Sequence, residues 1–201
     1  MTRRSGRIAG LVLAGGRSSR MDGRDKAGLI LAGSTLLERA IVRLEPQVED
    51  LAINSNTLAR HNDLPIIADR MEGYAGPLAG VAAGLAWASE SGAQYLATVA
   101  CDTPFYPKDL VEKLSCAEKP VVLASSFGRL HPVFALWPVS MAELMDSYLL
   151  TDARRSVLGF ANQQGFSVAK FEVADESPDP FFNINTPQDF KEAEQLARNF
   201  S

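Results

Sequence analysis

Two stretches of the chain, IAGLVL at Ile8–Leu13 and YLATVA at Tyr95–Ala100, are apolar at nearly every position instead of every second one. Such a strand has no wet face. It needs cover on both sides, the condition of a parallel strand inside a layered α/β sheet. Between the two runs the period turns helical. Thr35 and Glu38 have the spacing of a capping box, and Leu37, Ala40, Ile41 and Leu44 fall at i, i+3, i+4 and i+7 before Pro46 stops the helix. Asp50–Asn54 and residues 64–68 read as strands. Gly76-Pro77 opens a second helix with Leu78, Val81, Ala82 and Leu85 on one face. Gly80 and Gly84, four apart in it, read as close packing against the sheet. Strand and helix in alternation predict a parallel sheet with right-handed crossovers.

The second half is less regular. Residues 120–125, 130–137 and 166–173 read as strands and residues 141–150 as a helix. A last helix has Thr186 as N-cap, Pro187 at its first position, and Phe190, Ala193 and Ala197 facing inward. No repeat, linker or low-complexity tract interrupts the chain. Its 201 residues, 46% hydrophobic, suffice for one core. The expected fold class is α/β, a single three-layer α/β/α domain over residues 1–201 with a Rossmann-like, mostly parallel sheet.

Charge narrows the partners. The net charge of −4 gives no global basic field for nucleic acid. No run approaches the roughly 18 apolar residues of a membrane span. The basic start followed by IAGLVLAGG lacks a convincing cleavage site and runs directly into Arg17 and Arg20, so a buried first strand fits better than a signal peptide. Cys101 and Cys116 have no metal or redox spacing, which suits a reduced, cytoplasmic setting. Cys101 reads as a buried residue, not a nucleophile. Trp87 and Trp137 read as core or pocket walls.

Positive charge is local. After Gly15-Gly16, the cations Arg17, Arg20, Arg24 and Lys26 outnumber Asp22 and Asp25, leaving the loop at +2. Strand, glycine turn and basic segment together are one way to meet phosphate. The P-loop pattern and GxGxxG are both absent, and Asn54 stands where a ribose-binding acid would be. That disfavours a dinucleotide-dependent oxidoreductase. A solvated basic loop is the plain alternative. Asp102, directly after an apolar strand and before Thr103-Pro104, sits where open α/β sheets bind ligands. Alone it could be a cap or turn residue. Beside a cationic glycine loop it suits Mg²⁺, which takes one or two carboxylates plus phosphate oxygens. The pair describes a Mg-nucleotide site.

LAGGRSSRMDGRDK, NSN (Asn54 to Asn56), GPLAG (Gly76 to Gly80), CDTP (Cys101 to Pro104) and NINTP (Asn183 to Pro187) occur in that order. With them the chain resembles the molybdenum cofactor guanylyltransferases, within the glycosyltransferase-A-like nucleotidyltransferases, from Ile8 to about Ala197. The resemblance implies the nucleotide-diphospho-sugar transferase fold, with a nucleotide half over about 8–105 and an acceptor half over about 106–201. It implies transfer of GMP from GTP to the phosphate of molybdopterin or molybdenum-molybdopterin, with release of pyrophosphate and a need for Mg²⁺.

Carried over by position, Leu13, Ala14, Gly15, Gly16, Gly76, Pro77 and Leu78 line the nucleotide, and Asn54 and Asp69 contact the nucleoside. Lys26 meets the phosphates and Arg20 the leaving pyrophosphate. Asp102 meets nucleotide and metal, and Asn185 is a second metal ligand or an acceptor contact. Asn183, Arg154, Arg155 and His131 fall on the acceptor side; for His131 a structural hydrogen bond is the plain alternative. One departure is Asp22-Gly23, where the family often has two glycines. Molybdoenzyme chaperones and other cofactor-synthesis proteins follow as partners. A molybdopterin cytidylyltransferase and a non-catalytic GTP or sugar-nucleotide sensor are the competing readings. A phosphate acceptor is already ionised at neutral pH, so no general base is expected.

Overall fold

The computed structural model describes residues 6–15, 26–71, 76–151, 155–172 and 177–199. The first strand β1 (Ile8–Leu13) lies inside a seven-stranded sheet. It is parallel to β4 (Asp50–Asn54) on one side and to β6 (Tyr95–Ala100) on the other. β4 carries the two-residue edge strand β5 (Ile66–Ile67). Beyond β6 come β8 (Arg129–Pro138), β7 (Val121–Ser126) and β9 (Phe166–Lys170), so the order is β5-β4-β1-β6-β8-β7-β9. Only β8 runs against the rest of this sheet. Its direction follows from the two-residue turn Phe127-Gly128, both at positive φ, which folds β8 back on β7.

The continuous apolar pattern of β1 is explained by two cores. Ile8 and Val12 face one side, with Leu37, Ala40, Ile41 and Leu44 of helix α1 (Leu36–Leu44) and Leu110, Val111 and Leu114 of the short helix α3 (Leu110–Ser115). Ala9, Leu11 and Leu13 face the other. There they meet Leu78, Val81, Ala82 and Leu85 of α2 (Pro77–Glu90), Met145 and Leu149 of α4 (Ala142–Thr151), and Phe160 of α5 (Val157–Gln164). The result is helix, sheet, helix. Thr35 caps α1 in the expected box with Glu38.

A third, smaller core decides the site. Leu31 of the hairpin β2 (Ile30–Leu31) and β3 (Ser34–Thr35), Leu36, Phe105 and Ile184 pack with Ala193 and Ala197 of α6 (Pro187–Asn199). It joins the start of the chain, the segment after β6 and the C-terminal helix. The sequence reading differs in detail here. The β2–β3 hairpin, α3 and α5 are additional elements. The strand expected over 64–68 shortens to Ile66–Ile67, β9 ends at Lys170, and a 3-10 turn at Val139–Met141 precedes α4. No helix among the described residues is long and apolar enough to cross a membrane.

Candidate active site

The carboxyl ends of β1, β4 and β6 meet on one edge. Asn54 pairs with Leu13 and Leu13 with Ala100. The main chain continues the link past the strands: the Ala14 N–H donates to the Asn54 carbonyl at 2.9 Å and the Cys101 N–H to the Leu13 carbonyl at 3.1 Å. Asp102 follows at once, and its carbonyl accepts from the Ile184 N–H at 2.8 Å. With Ile184 fully buried in the third core, this bond carries Asn185 to the edge of the sheet.

There three side chains converge. Lys26, in the 3-10 turn Lys26–Gly28, is anchored by buried Ala27. Its Nζ donates to Asp102 Oδ2 at 3.2 Å and to Asn185 Oδ1 at 2.8 Å. The side chains of Lys26 and Asp102 are only 20% and 21% exposed. Burial pushes the Asp102 carboxyl above the usual carboxylate range, outweighing the Lys26 ammonium beside it. Asn185 is held by α6: its N–H and that of Thr186 both donate to Asp189 Oδ2 at 2.8 Å, and the Asp189 N–H returns to Thr186 Oγ1. Burial raises the Asp189 pKa, but those main-chain donors prevail and hold it below the usual range. Two oxygens, a carboxylate and an amide carbonyl, thus face one positive charge. Such hard donors fit a magnesium ion as they fit an ammonium. Among the described residues no three His, Cys, Asp or Glu side chains form a metal cage.

The second cluster lies at β4 and β5. Asn54 is buried, and its Nδ2 donates to the Ile67 carbonyl and to Asp69 Oδ1 at 3.0 and 2.9 Å. Exposed Asn56 donates to the other oxygen of Asp69 at 2.8 Å and accepts from the Asp69 N–H at 2.8 Å. α2 presses against Asn54 from below: a Cβ at Gly80 would lie 2.2 Å from Asn54 Oδ1 and 2.8 Å from Leu13 Cδ2. Gly84 packs on Leu11 in the same way, so the close-packing reading of both glycines holds, and at Gly80 the packed neighbour is Asn54.

On the β7–β8 side, Ser126 Oγ donates to Asp179 Oδ1 at 2.7 Å and lies 2.7 Å from His131 Nε2. The hydroxyl has one proton, and it goes to the carboxylate, so Nε2 is the protonated nitrogen and donates to Ser126. A serine in the middle of the chain cannot be deprotonated by this histidine, which separates the arrangement from a hydrolytic triad. The His131 ring also stacks on Phe181, 4.4 Å between centroids. The structural reading of His131 is therefore realised.

Of the other sequence-derived positions, Leu13 and Ala14 are buried at the end of β1 and Gly15 is exposed beside Asn54. Gly76 caps α2 at φ 70° with Pro77 next. Leu78 is fully buried, so it positions the first turn of α2 from within the core. Asn183 is exposed, and half-buried Arg155 stands at φ 44° just before α5. Gly16, Arg17, Arg20, Asp22, Arg24 and Arg154 lie outside the described residues. Cys101 is buried, as are Trp137 and its indole N–H, which donates to Thr98. Sequence reading gave no role to Asn56, Ser126 or Asp179. For Asn56 a signal was present: it closes the NSN stretch that begins at Asn54.

Comparison with known proteins sets this geometry in context. Residues 10–165 match the sequence profile of the MobA-like NTP transferase domain. The chain is 44% identical over 195 residues to the molybdenum cofactor guanylyltransferase of Rhizobium leguminosarum bv. trifolii, covering 94% of this chain and 92% of that protein. It is 45% identical over 194 residues to the one from Cereibacter sphaeroides, covering 96% and 98%. Among solved structures, the molybdopterin-guanine dinucleotide biosynthesis protein A of Archaeoglobus fulgidus superposes with a TM-score of 0.76 at 24% identity, covering 95% of this chain and 99% of that one. The 4-diphosphocytidyl-2C-methyl-D-erythritol synthase of Anaerococcus prevotii shares the fold at a TM-score of 0.74 and 10% identity, covering 96% of each chain.

Proposed function

The chain belongs to the MobA-like NTP transferase family, and from that premise we propose that it transfers GMP from GTP to the terminal phosphate of molybdopterin, giving molybdopterin guanine dinucleotide and pyrophosphate. The relatives at 44% and 45% identity, each matched over more than nine-tenths of its length, support the guanylyl donor and the pterin acceptor. The observation that carries the chemistry is the convergence of Lys26, Asp102 and Asn185 at the carboxyl edge of the sheet.

An oxygen of the acceptor phosphate attacks the α-phosphorus of GTP. One P–O bond forms, the bond to the β-phosphate bridge breaks, and its electron pair leaves with pyrophosphate. The nucleophile is already anionic, so the residues around it orient and neutralise. Lys26, swinging from Asp102 and Asn185, meets the nucleotide phosphates, and Arg20 joins it from the basic loop. The oxygens of Asp102 and Asn185 that now face the ammonium are those that would hold Mg²⁺, which supplies charge neutralisation on the phosphates. Asn54 and Asp69 take the nucleoside beside Gly15, Gly76 and Pro77, with buried Leu13, Ala14 and Leu78 shaping that pocket from behind. Asn183, Arg154 and Arg155 border the acceptor.

The test is pyrophosphate release from GTP, CTP, ATP and UTP, each with Mg²⁺ and molybdopterin, with the pterin product weighed by mass spectrometry. Release with GTP alone and a pterin heavier by GMP is expected. Release with CTP instead would make the chain a cytidylyltransferase. GTP binding without release from any nucleotide would make it a sensor.

A further inference from the structure

Asn56 is exposed, takes no part in any core, and yet makes two hydrogen bonds to one residue. Its Nδ2 donates to Asp69 Oδ2, and its Oδ1 accepts from the Asp69 N–H, both at 2.8 Å. Asp69 Oδ1 accepts from Asn54 Nδ2 at 2.9 Å, on an amide itself fixed to the Ile67 carbonyl. The carboxylate is thus gripped at both oxygens by amides two residues apart, Asn54 at the end of β4 and Asn56 just beyond it. Each oxygen spends one acceptor direction on an asparagine and keeps another. A carboxylate held in one plane, with an open acceptor direction on each oxygen, complements two adjacent coplanar donors. Among the four bases, guanine alone offers that pair, N1–H and the 2-amino group.

We propose that Asn56 is a specificity-positioning residue, which fixes the plane of the Asp69 carboxylate so that it selects guanine. The inference rests on the reading that GTP is the nucleotide and that Asp69 faces its nucleoside. Without Asn56 the carboxylate keeps only its bond to Asn54 and rotates about its own side-chain torsions. It then still attracts a donor but no longer selects the pair. Because Asn56 is exposed, its truncation opens no cavity.

The experiment measures binding of GTP and of inosine triphosphate, which lacks the 2-amino group, to the full chain, with steady-state turnover alongside. In Asn56→Ala the preference for GTP over inosine triphosphate falls about tenfold, the scale of one charge-assisted hydrogen bond. KM for GTP rises while kcat at saturation stays put. Asn56→Asp separates positioning from simple loop support. It keeps the acceptor for the Asp69 N–H but replaces the donor with a second carboxylate, so positioning predicts a preference no better than in Asn56→Ala. An unchanged preference in Asn56→Ala, or recovery in Asn56→Asp, overturns the inference. A wild-type protein that binds CTP or ATP as well as GTP overturns the nucleotide reading itself, before any variant is compared.

Discussion

Asp102 shows the cost of a site at the scale of a single residue. Its carboxylate is mostly withdrawn from water, and one ammonium at 3.2 Å does not restore what hydration would have given. Replacing it with Asn removes a charge that burial disfavours and that the proposed chemistry requires. His131 is a different case, because its burden is structural. Burial holds its pKa below the usual imidazole range; nearby Asp179 works against that and Arg129 with it. The unfolded chain therefore takes up a proton at a higher pH than the folded one. The stability contributed by neutral His131 is complete above about pH 6.5 and is lost as pH falls toward the folded value. Wild-type protein should lose more melting temperature between about pH 7.5 and about pH 5.5 than His131→Gln does. Equal losses would show that His131 is not the group that titrates.

Elements explain why the residues arrive where they do. α2 runs close under β1 and β4 because Gly80 and Gly84 have no side chain, and Asn54 uses the space at Gly80. Gly80→Ala should push the Asn54 amide away from Asp69, cost about 1–3 kcal/mol by overpacking, and weaken GTP binding with it. Calorimetric melting and GTP titration of that variant check both; a loss of stability with GTP affinity intact would detach Asn54 from the nucleotide. Much at this scale was legible in the sequence. The cap at Thr35, the start of α2 at Pro77 and the cap at Thr186 are local signals, and the structure has all three. The hairpins were not. Their turns, Ala32-Gly33 and Phe127-Gly128, hold positive φ at an alanine and a phenylalanine, residues that do not announce such turns. α3 and α5, six and eight residues long, are too short for their period to stand out.

Across the whole molecule, the site depends on contacts that no local reading supplies. Lys26 and Asn185 are 159 residues apart, and Ser126 and Asp179 are 53 apart. What brings the first pair together is the third core, where Leu31, Phe105 and Ile184 pack against α6. Individual motifs could be read as glycine loop, strand-end aspartate and Asn-Thr-Pro cap. That Lys26 would bridge Asp102 and Asn185 could not, since it follows from packing among three distant segments. Pyrophosphate release from GTP, compared between the wild type and Asp102→Asn in the presence of molybdopterin and Mg²⁺, tests this assembly most directly. The account predicts a fall of about 10²–10³ in rate, in a variant whose melting temperature equals or exceeds that of the wild type. Turnover within a few-fold of wild type, in folded protein, would contradict it and take Asp102 out of the chemistry.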